Sequence, residues 1–397
     1  MPIRNRIAEL QSEICEWRRD FHRHPELRFD LPRTASKIVE LLSAFGVDEI
    51  IEGVGRSGVV GIIKGRETTS GNVIGFRADM DALPINEISG HDHISHEQGK
   101  MHACGHDGHT SILLGAAKYL SETRNFNGTV LLAFQPAEEG GGGARAMIAD
   151  GLMERWNVSE IYGLHNMPNL DVGSFAIRSG PIMAASDFFE VRVRGKGGHG
   201  AMPHLAKDTT LASAAIIMAL QQIVAREVSA LGSAVISVTG MQTDTMAHNV
   251  IPSSVLLTGT ARFLDKSVQT QVIERMQEVI TGTALVYGCT AELDYQFGVG
   301  VTKNDLASTE HAMRAASTVV GAEKVHVDIE PLMGGEDFSE MLEQRPGAFI
   351  FLGNGDSAML HHPEYDFNDE AIPIGCSWFV ELAEQRMPIR YSQVLPS

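Results

Sequence analysis

The pattern that most constrains the fold is an alternation of strand-like and helical stretches. Apolar runs at 58–63 and 72–77, parted by the turn-forming Glu67-Thr68-Thr69-Ser70-Gly71, are followed by a helical stretch at 110–120, a strand at 129–134, a helix at 144–152 and a strand at 161–164. Strands that return through helices need crossover connections, so the expected sheet is mostly parallel. Two amphipathic helices precede it. The first, 6–21, spaces Ile7, Leu10, Ile14, Trp17 and Phe21 three or four apart and stops before Pro25; the second, 34–45, stops at Gly46. From Asp187 the order changes to strand 188–193, helix 209–226, strands 234–238 and 255–262, helix 268–283 and strand 290–295. That β-α-β-β-α-β order is the split, ferredoxin-like pattern of a small separate unit. Helices at 310–320 and 338–343, a strand at 348–352 and a helix at 374–384 then resume the first style. The expectation is an α/β catalytic domain in two parts, 1–186 and 297–397, with a second domain, 187–296, inserted between them.

A chain of 397 residues, 43% of them hydrophobic, is long enough and apolar enough for two cores. Its net charge of −18 disfavours nucleic acid and anionic membranes as partners. The longest apolar runs, such as 214–220, fall well short of the roughly 20 residues that span a bilayer. Glu9, Glu13 and Glu16 stand where a secretory signal needs an apolar core, so a cytoplasmic protein with no transmembrane helix is expected. Four cysteines, at 15, 104, 289 and 376, with no Cys-x-x-Cys pair, do not make a disulfide framework.

The chemistry concentrates in four places. Six of the sixteen histidines, at 91, 93, 96, 102, 106 and 109, crowd into one stretch that includes Met101-His102-Ala103-Cys104-Gly105-His106-Asp107-Gly108-His109. Cys104 and His106 are two apart, so in an extended loop their side chains share a face, and thiolate with imidazole suits a divalent transition metal. An inert buried thiol among surface histidines is the plainer alternative. Glu138 and Glu139 follow the strand ending near Phe134; two adjacent carboxylates repel unless one is neutralised, and a metal on one with the other free as a base gives them a reason. His165 ends the strand from Ile161, and His361-His362-Pro363 follows the strand ending near Leu352. All stand at strand ends, where open α/β sheets place their ligands, and Asp79 and Asp81 reach the same rim. One of these two carboxylates is positioned to hold a ligating histidine. Gly140 to Gly143 has no Lys-Ser/Thr after it, so it is no phosphate loop.

With these residues in view, the chain resembles the metal-dependent amidohydrolases of the aminoacylase and carboxypeptidase G superfamily, in the subgroup of hippurate hydrolases, indole-acetyl-amino-acid hydrolases and N-acyl-amino-acid amidohydrolases. The resemblance covers nearly the whole chain: Phe21-His22-Arg23-His24-Pro25-Glu26-Leu27, Arg-Ala-Asp-Met-Asp-Ala-Leu-Pro from 77, His-Ala-Cys-Gly-His-Asp from 102, Gln-Pro-Ala-Glu-Glu-Gly from 135, Gly-Leu-His-Asn from 163, Gly-Gly-His-Gly-Ala-Met-Pro-His from 197, Asn-Val-Ile-Pro from 249, Gly-Gly-Glu-Asp-Phe from 334 and His-His-Pro from 361. It implies a metallopeptidase-like domain with two divalent metal ions (Zn, Mn, Co or Ni), bridged by Cys104 and completed by His106, Glu139, His165 and His361. Relatives carry a single histidine before the Pro, and aligning on Pro363 selects His361 over His362. It further implies Glu138 as general base, Asp81 as the carboxylate behind the ligands, and a lid that dimerises and lends His199 to the neighbouring copy's oxyanion. Asn249 and Arg262 are its candidates for substrate contact.

The reaction so implied is hydrolysis of a small N-acyl amino acid to a carboxylic acid and a free amino acid, by a homodimer or dimer-based oligomer. A dipeptidase or a deacetylase of a small N-acetylated metabolite is the near alternative, since pocket shape decides. An amidase using Cys104 as nucleophile is a different class. A non-catalytic binding protein is a third, disfavoured by the presence of Glu138.

Overall fold

The computed structural model describes residues 4–389. Helix α1 (Asn5–Arg23) buries Ile7, Leu10, Ile14, Trp17 and Phe21, the stripe that its sequence spacing announces. Helix α2 (Pro32–Ala44) starts with proline in its first turn, where the missing N–H is not needed. Strands β1 (Glu49–Val54), β2 (Gly58–Lys64) and β3 (Val73–Asp79) follow, then α3 (His106–Thr123), β4 (Thr129–Gln135), α4 (Gly143–Ala149), β5 (Glu160–Pro168) and β6 (Phe175–Ile177).

The chain divides into two compact units. One runs to Ile182 and regains the chain at Lys303–Glu330 and from Asp337 onward; the other is Met183–Thr302 with Pro331–Glu336. The second unit therefore begins before the expected 187 and ends after 296. Its extra segment is held by pairing, since the Ala184 N–H donates to Leu332 O and Gly334 O at 3.0 and 2.9 Å. Strand β7 (Gly180–Met183) and the later β14 (Thr302–Asn304) form a short two-stranded ladder.

In the second unit, β8 (Ala185–Arg194), a short β9 (Gly198–His199), α5 (Thr209–Gln222), β10 (Ala234–Thr243), a short β11 (Val250–Ile251), β12 (Ser254–Phe263), α6 (Lys266–Val286) and β13 (Thr290–Val299) follow one another. The main sheet has the order β10-β12-β8-β13, all antiparallel. Its inner face and the helices share one core, including Phe189, Val191, Ile216, Leu257, Phe263 and Met276. Asp208 and Asp265 cap α5 and α6 through side-chain oxygens, each cap contributing about 1 kcal/mol.

Helix α5 runs on into a π turn, Ile223–Glu227, and the combined 19 residues of Thr209–Glu227 are long and apolar enough, by length and composition only, to cross a bilayer. Counting uninterrupted apolar residues misses this, because Ser213, Gln221 and Gln222 dilute the run. Its buried residues Ala212, Ile216, Leu220 and Ile223 lie on one helical face and join the core of the unit, which accounts for the apolarity of that face, while Leu211 and Met218 are exposed.

The first unit closes with α7 (Leu306–Val320), β15 (Val325–Val327), α8 (Phe338–Gln344), β16 (Gly347–Gly355) and α9 (Ile372–Arg386). Its sheet has the order β1-β2-β4-β3-β5-β16-β6-β15, with β4, β3, β5 and β16 mutually parallel at the centre. These strands are buried on both faces, hence their continuous apolar sequences. Sequence reasoning does not foresee β1, β6 or β15, which are edge-side strands too short or too exposed for a period-two signal.

Candidate metal centre

The carboxyl ends of the central parallel strands form one rim, and the chemistry sits there. Asp81 follows β3, Glu138 and Glu139 follow β4, His165 lies within β5, Cys104 and His106 lie at the start of α3, and His361 is in the loop after β16. Cys104, Glu139 and His361 bring ligand atoms within 4.8 Å of one another, and so do His106, Glu138 and Glu139, so that Glu139 is common to both groups. Cys104 Sγ is 3.5 Å from His165 Nε2, and His361 Nε2 is 3.3 Å from Glu139 Oε1. His362 instead accepts the Glu364 N–H on Nδ1 at 3.2 Å.

Local structure explains the convergence, though not by the expected route. Helix α3 begins at His106 rather than near Thr110, so Cys104 and His106 do not share an extended loop. The turn between them is Gly105, at φ 88°; a Cβ there would meet Asn166 Oδ1 at 2.4 Å and Tyr365 Oη at 2.7 Å, so glycine is required on both counts. The helical pattern was hidden because residues His106 to Ala117 are buried all round. His361, at φ 66°, is fixed by donating its N–H to Ala103 O at 2.8 Å, which ties its loop to that of Cys104.

Each ligand-type imidazole is turned by its far nitrogen. His106 Nδ1 meets Asp81 O at 2.7 Å and His165 Nδ1 meets Asn166 O at 2.8 Å, which leaves both Nε2 atoms facing inward. His106 Nε2 is buried with no hydrogen-bond partner, and Glu139 Oε1 is buried with only His361 Nε2 beside it at 3.3 Å, outside hydrogen-bond geometry. Buried orphans of this kind are costly unless something else satisfies them, and a divalent cation satisfies a nitrogen lone pair and a carboxylate together. The charges agree. Burial pushes the Cys104 thiol well above its usual range, with Glu139 adding to it against His106, so an unaided thiolate is disfavoured; burial likewise drives His165 well below the imidazole range. Burial opposes charge on His106, but Asp79 and Cys104 hold its pKa well above normal. The donor set therefore fits divalent metal.

Asp81 acts on the backbone. Its carboxylate accepts the N–H groups of Glu138 at 2.9 Å and Glu139 at 3.2 Å, and its Oδ1 stays 3.7 Å from His106 Nδ1. Buried completely, Asp81 is pushed upward in pKa by that burial.

Two networks behind the rim were not foreseen. In the first, Arg77 reaches Asp79 at 2.8 Å, Gln135 at 2.9 Å and Asp337 at 3.2 Å, while Asp79 reaches His109 at 2.7 Å. In the second, buried Arg18 meets Asp107 at 2.7 Å and also pairs with Asp366, and His22 lies between Asp107 at 2.8 Å and Glu87 at 3.2 Å. A start of α3 at His106 would have put His109 one turn further on the same face, and that was the available signal.

His199, Asn249 and Arg262 belong to the second unit. His199 and Asn249 line a cleft of about 520 Å³ with Gly197, Asp244 and Ser253, on the small ladder that pairs His199 with Val250. His199 is exposed and accepts the Ala201 N–H on Nδ1 at 3.1 Å. Arg262 stands apart from that cleft: its guanidinium lies over the Phe188 ring at 5.9 Å and donates to Thr260.

The chain is similar to known proteins in both sequence and structure. The family model for peptidase family M20/M25/M40 matches residues 75–385. A hippurate hydrolase of Campylobacter jejuni is 39% identical over 95% of this chain and 97% of its own length. An N-acetylcysteine deacetylase of Bacillus subtilis is 39% identical over 94% of this chain and 97% of its own. A Bacillus subtilis crystal structure described as a dinuclear metal-binding peptidase of the M20 family superposes with a TM-score of 0.84, at 36% identity, over 96% of this chain and 99% of that one.

Proposed function

We propose that this chain, which belongs to peptidase family M20/M25/M40, is a metal-dependent amidohydrolase that cleaves the amide bond of N-acylated amino acids, releasing a carboxylic acid and a free amino acid. The observation that carries the reading is the shared carboxylate: Glu139 belongs to both ligand groups while Glu138, its chain neighbour, belongs to the His106 group alone of these two. Cys104, His106, Glu139, His165 and His361 would hold two divalent ions. When bound, such ions make water more acidic and polarise a carbonyl. Glu138 takes the proton of the attacking water and returns it to the leaving amine. Asp81 holds Glu138 and Glu139 in register through their backbone N–H groups. Cys104 is a ligand in this reading, and its use as nucleophile is not favoured, because burial keeps its thiol protonated without a cation. Manganese and zinc both suit one thiolate among imidazoles and carboxylates.

The second unit is read as a ferredoxin-like lid, inserted at about 187–296, that pairs two copies of the chain and brings His199 to the oxyanion, with Asn249 and Arg262 on the substrate side. Leu211, Met218, Leu285 and Val286, exposed on α5 and α6, support pairing through this unit. A cytoplasmic location is part of the reading, since a reduced Cys104 is needed. His199→Ala should lower turnover and leave metal content unchanged; equal loss of metal would remove it from this role.

The test is elemental analysis of the purified protein beside a mass-spectrometric screen over N-acetyl, N-benzoyl and indole-acetyl amino acids, with and without chelator. About two metals per chain and chelator-sensitive release of amino acid are expected. Chelator-resistant turnover, or no metal, would refute the reading. Cleavage of dipeptides in preference to all three acyl series would move it to the dipeptidase alternative.

A further inference from the structure

His109 is absorbed by none of these roles, yet it touches residues of both β3 and β5 at the rim. It is buried, one turn after His106 on α3. Its Nδ1 is 2.7 Å from Asp79 Oδ1 at the end of β3, and its Nε2 is 2.7 Å from Asn166 Oδ1 and 3.0 Å from the Asn166 N–H in β5. Its ring packs against that of His165 with centroids 4.5 Å apart, and against His106 at 5.6 Å. The next residue, Thr110, donates its hydroxyl to Asp79 O at 2.8 Å.

The consequence follows from what turns the ligand-type histidines. His165 is oriented by the carbonyl of Asn166, and His106 by the carbonyl of Asp81, two residues beyond Asp79. Asn166 is held on one side by His109 and on the other by Tyr365 Oη, 2.5 Å from its side-chain nitrogen. Asp79 is held by His109 and by Arg77. His109 thus joins the two strand ends whose carbonyls aim the two imidazoles, and it does so without offering a free nitrogen of its own. A ring with both nitrogens engaged is built for holding, and partners of this kind are what fix ligand direction in metal sites.

We propose that His109 is a positioning residue for the metal centre: by clamping Asp79 to Asn166 it fixes the directions of His106 and His165 and so sets metal affinity. This rests on reading Cys104, His106, Glu139, His165 and His361 as the ligands.

The test uses the full-length protein, stripped with chelator and titrated with Co²⁺, whose visible absorption reports the ligand field. His109→Phe keeps a flat ring and loses both hydrogen bonds. It should raise the Co²⁺ dissociation constant about 10- to 100-fold, shift the visible bands at saturation and shrink the metal-induced rise in Tm. Unchanged affinity and unchanged bands overturn the proposal, even where the metal-free protein melts earlier, because that result is ordinary packing. His109→Gln and Tyr365→Phe, each removing part of the clamp, keep the question open to refutation should His109→Phe fail to fold: affinity lowered several-fold in both supports the clamp, and wild-type affinity in both overturns it. Failure of the wild type to bind Co²⁺ refutes the ligand reading and the proposal with it, whereas normal binding by wild type and variants refutes the proposal alone.

Discussion

Two buried histidine clusters flank the start of α3, and they are finished in opposite ways. In the cluster of His106, His109 and His165, the outer nitrogens of His106 and His165 are tied to backbone carbonyls and the inner ones face a thiol and a carboxylate. In the cluster of His22, His93 and His102, both ring nitrogens of His22 and Nε2 of His93 meet carboxylates, with Arg18 among them. Burial opposes charge on His22, yet Asp107 raises its pKa, and burial would raise Asp107, yet Arg18 and His22 hold it far below the carboxylate range. His102 is the instructive case: both its nitrogens lack partners, but burial drives its pKa down to about 3. Open nitrogens alone do not make a metal site. What sets the first cluster apart is its convergence with a thiol and an acid.

If the two clusters are separable, the first should control turnover and metal, and the second stability. Glu138→Gln offers the largest effect. It should lower kcat about 10²- to 10⁴-fold with metal content and Tm unchanged, measured by steady-state kinetics beside elemental analysis. Near wild-type activity would mean that another group carries the proton.

Arg18→Met attacks the other cluster. Removing one partner of a buried pair leaves Asp107 charged with only His22 beside it, which should cost about 3–5 kcal/mol in denaturant unfolding. The folded fraction should retain its full metal content; loss of metal before loss of structure would show that the two clusters are one unit.

His361→Ala should shed metal on dialysis, while His362→Ala keeps it, because only His361 faces Glu139. The reverse pattern would exchange the two assignments.

The smallest effect is on acid stability. Burial would raise the pKa of Asp366, but His93 and Arg18 lower it to about 2, from an ordinary value of 3.8. A depressed folded pKa stabilises above the unfolded value, and that contribution is lost as pH falls through the folded one. Unfolding monitored from pH 4 to pH 2 should therefore show stability draining away, less steeply in Asp366→Asn. A variant with an identical acid profile would separate Asp366 from the cluster.

Much of this was legible in the sequence, for a physical reason. The central strands and α1 are placed by burial, and burial writes itself as apolar runs and three-or-four spacing. The ligand candidates were legible because chemistry restricts residue type: few roles besides metal binding need a cysteine, a glutamate and three histidines at strand ends. His109 and Arg18 were not legible. Their roles depend on which residues stand opposite them across the fold, Asp79 and Asn166 for one, Asp107 and Asp366 for the other, and no local spacing encodes that. The start of α3 was lost for a related reason, since a helix buried on every side carries no stripe to read.

The ligand candidates come from the first and the last of the three chain segments of the first unit, Cys104 from one and His361 from the other, with the whole second unit between them in the chain. A metal ion held there acts as a cross-link over roughly 250 residues, the long-loop regime in which closing the chain removes the most freedom from the unfolded state. It also makes the centre a late event in synthesis. No ion held by these residues could be fully enclosed until His361 has left the ribosome, so the centre would be completed only after the whole second unit has been made.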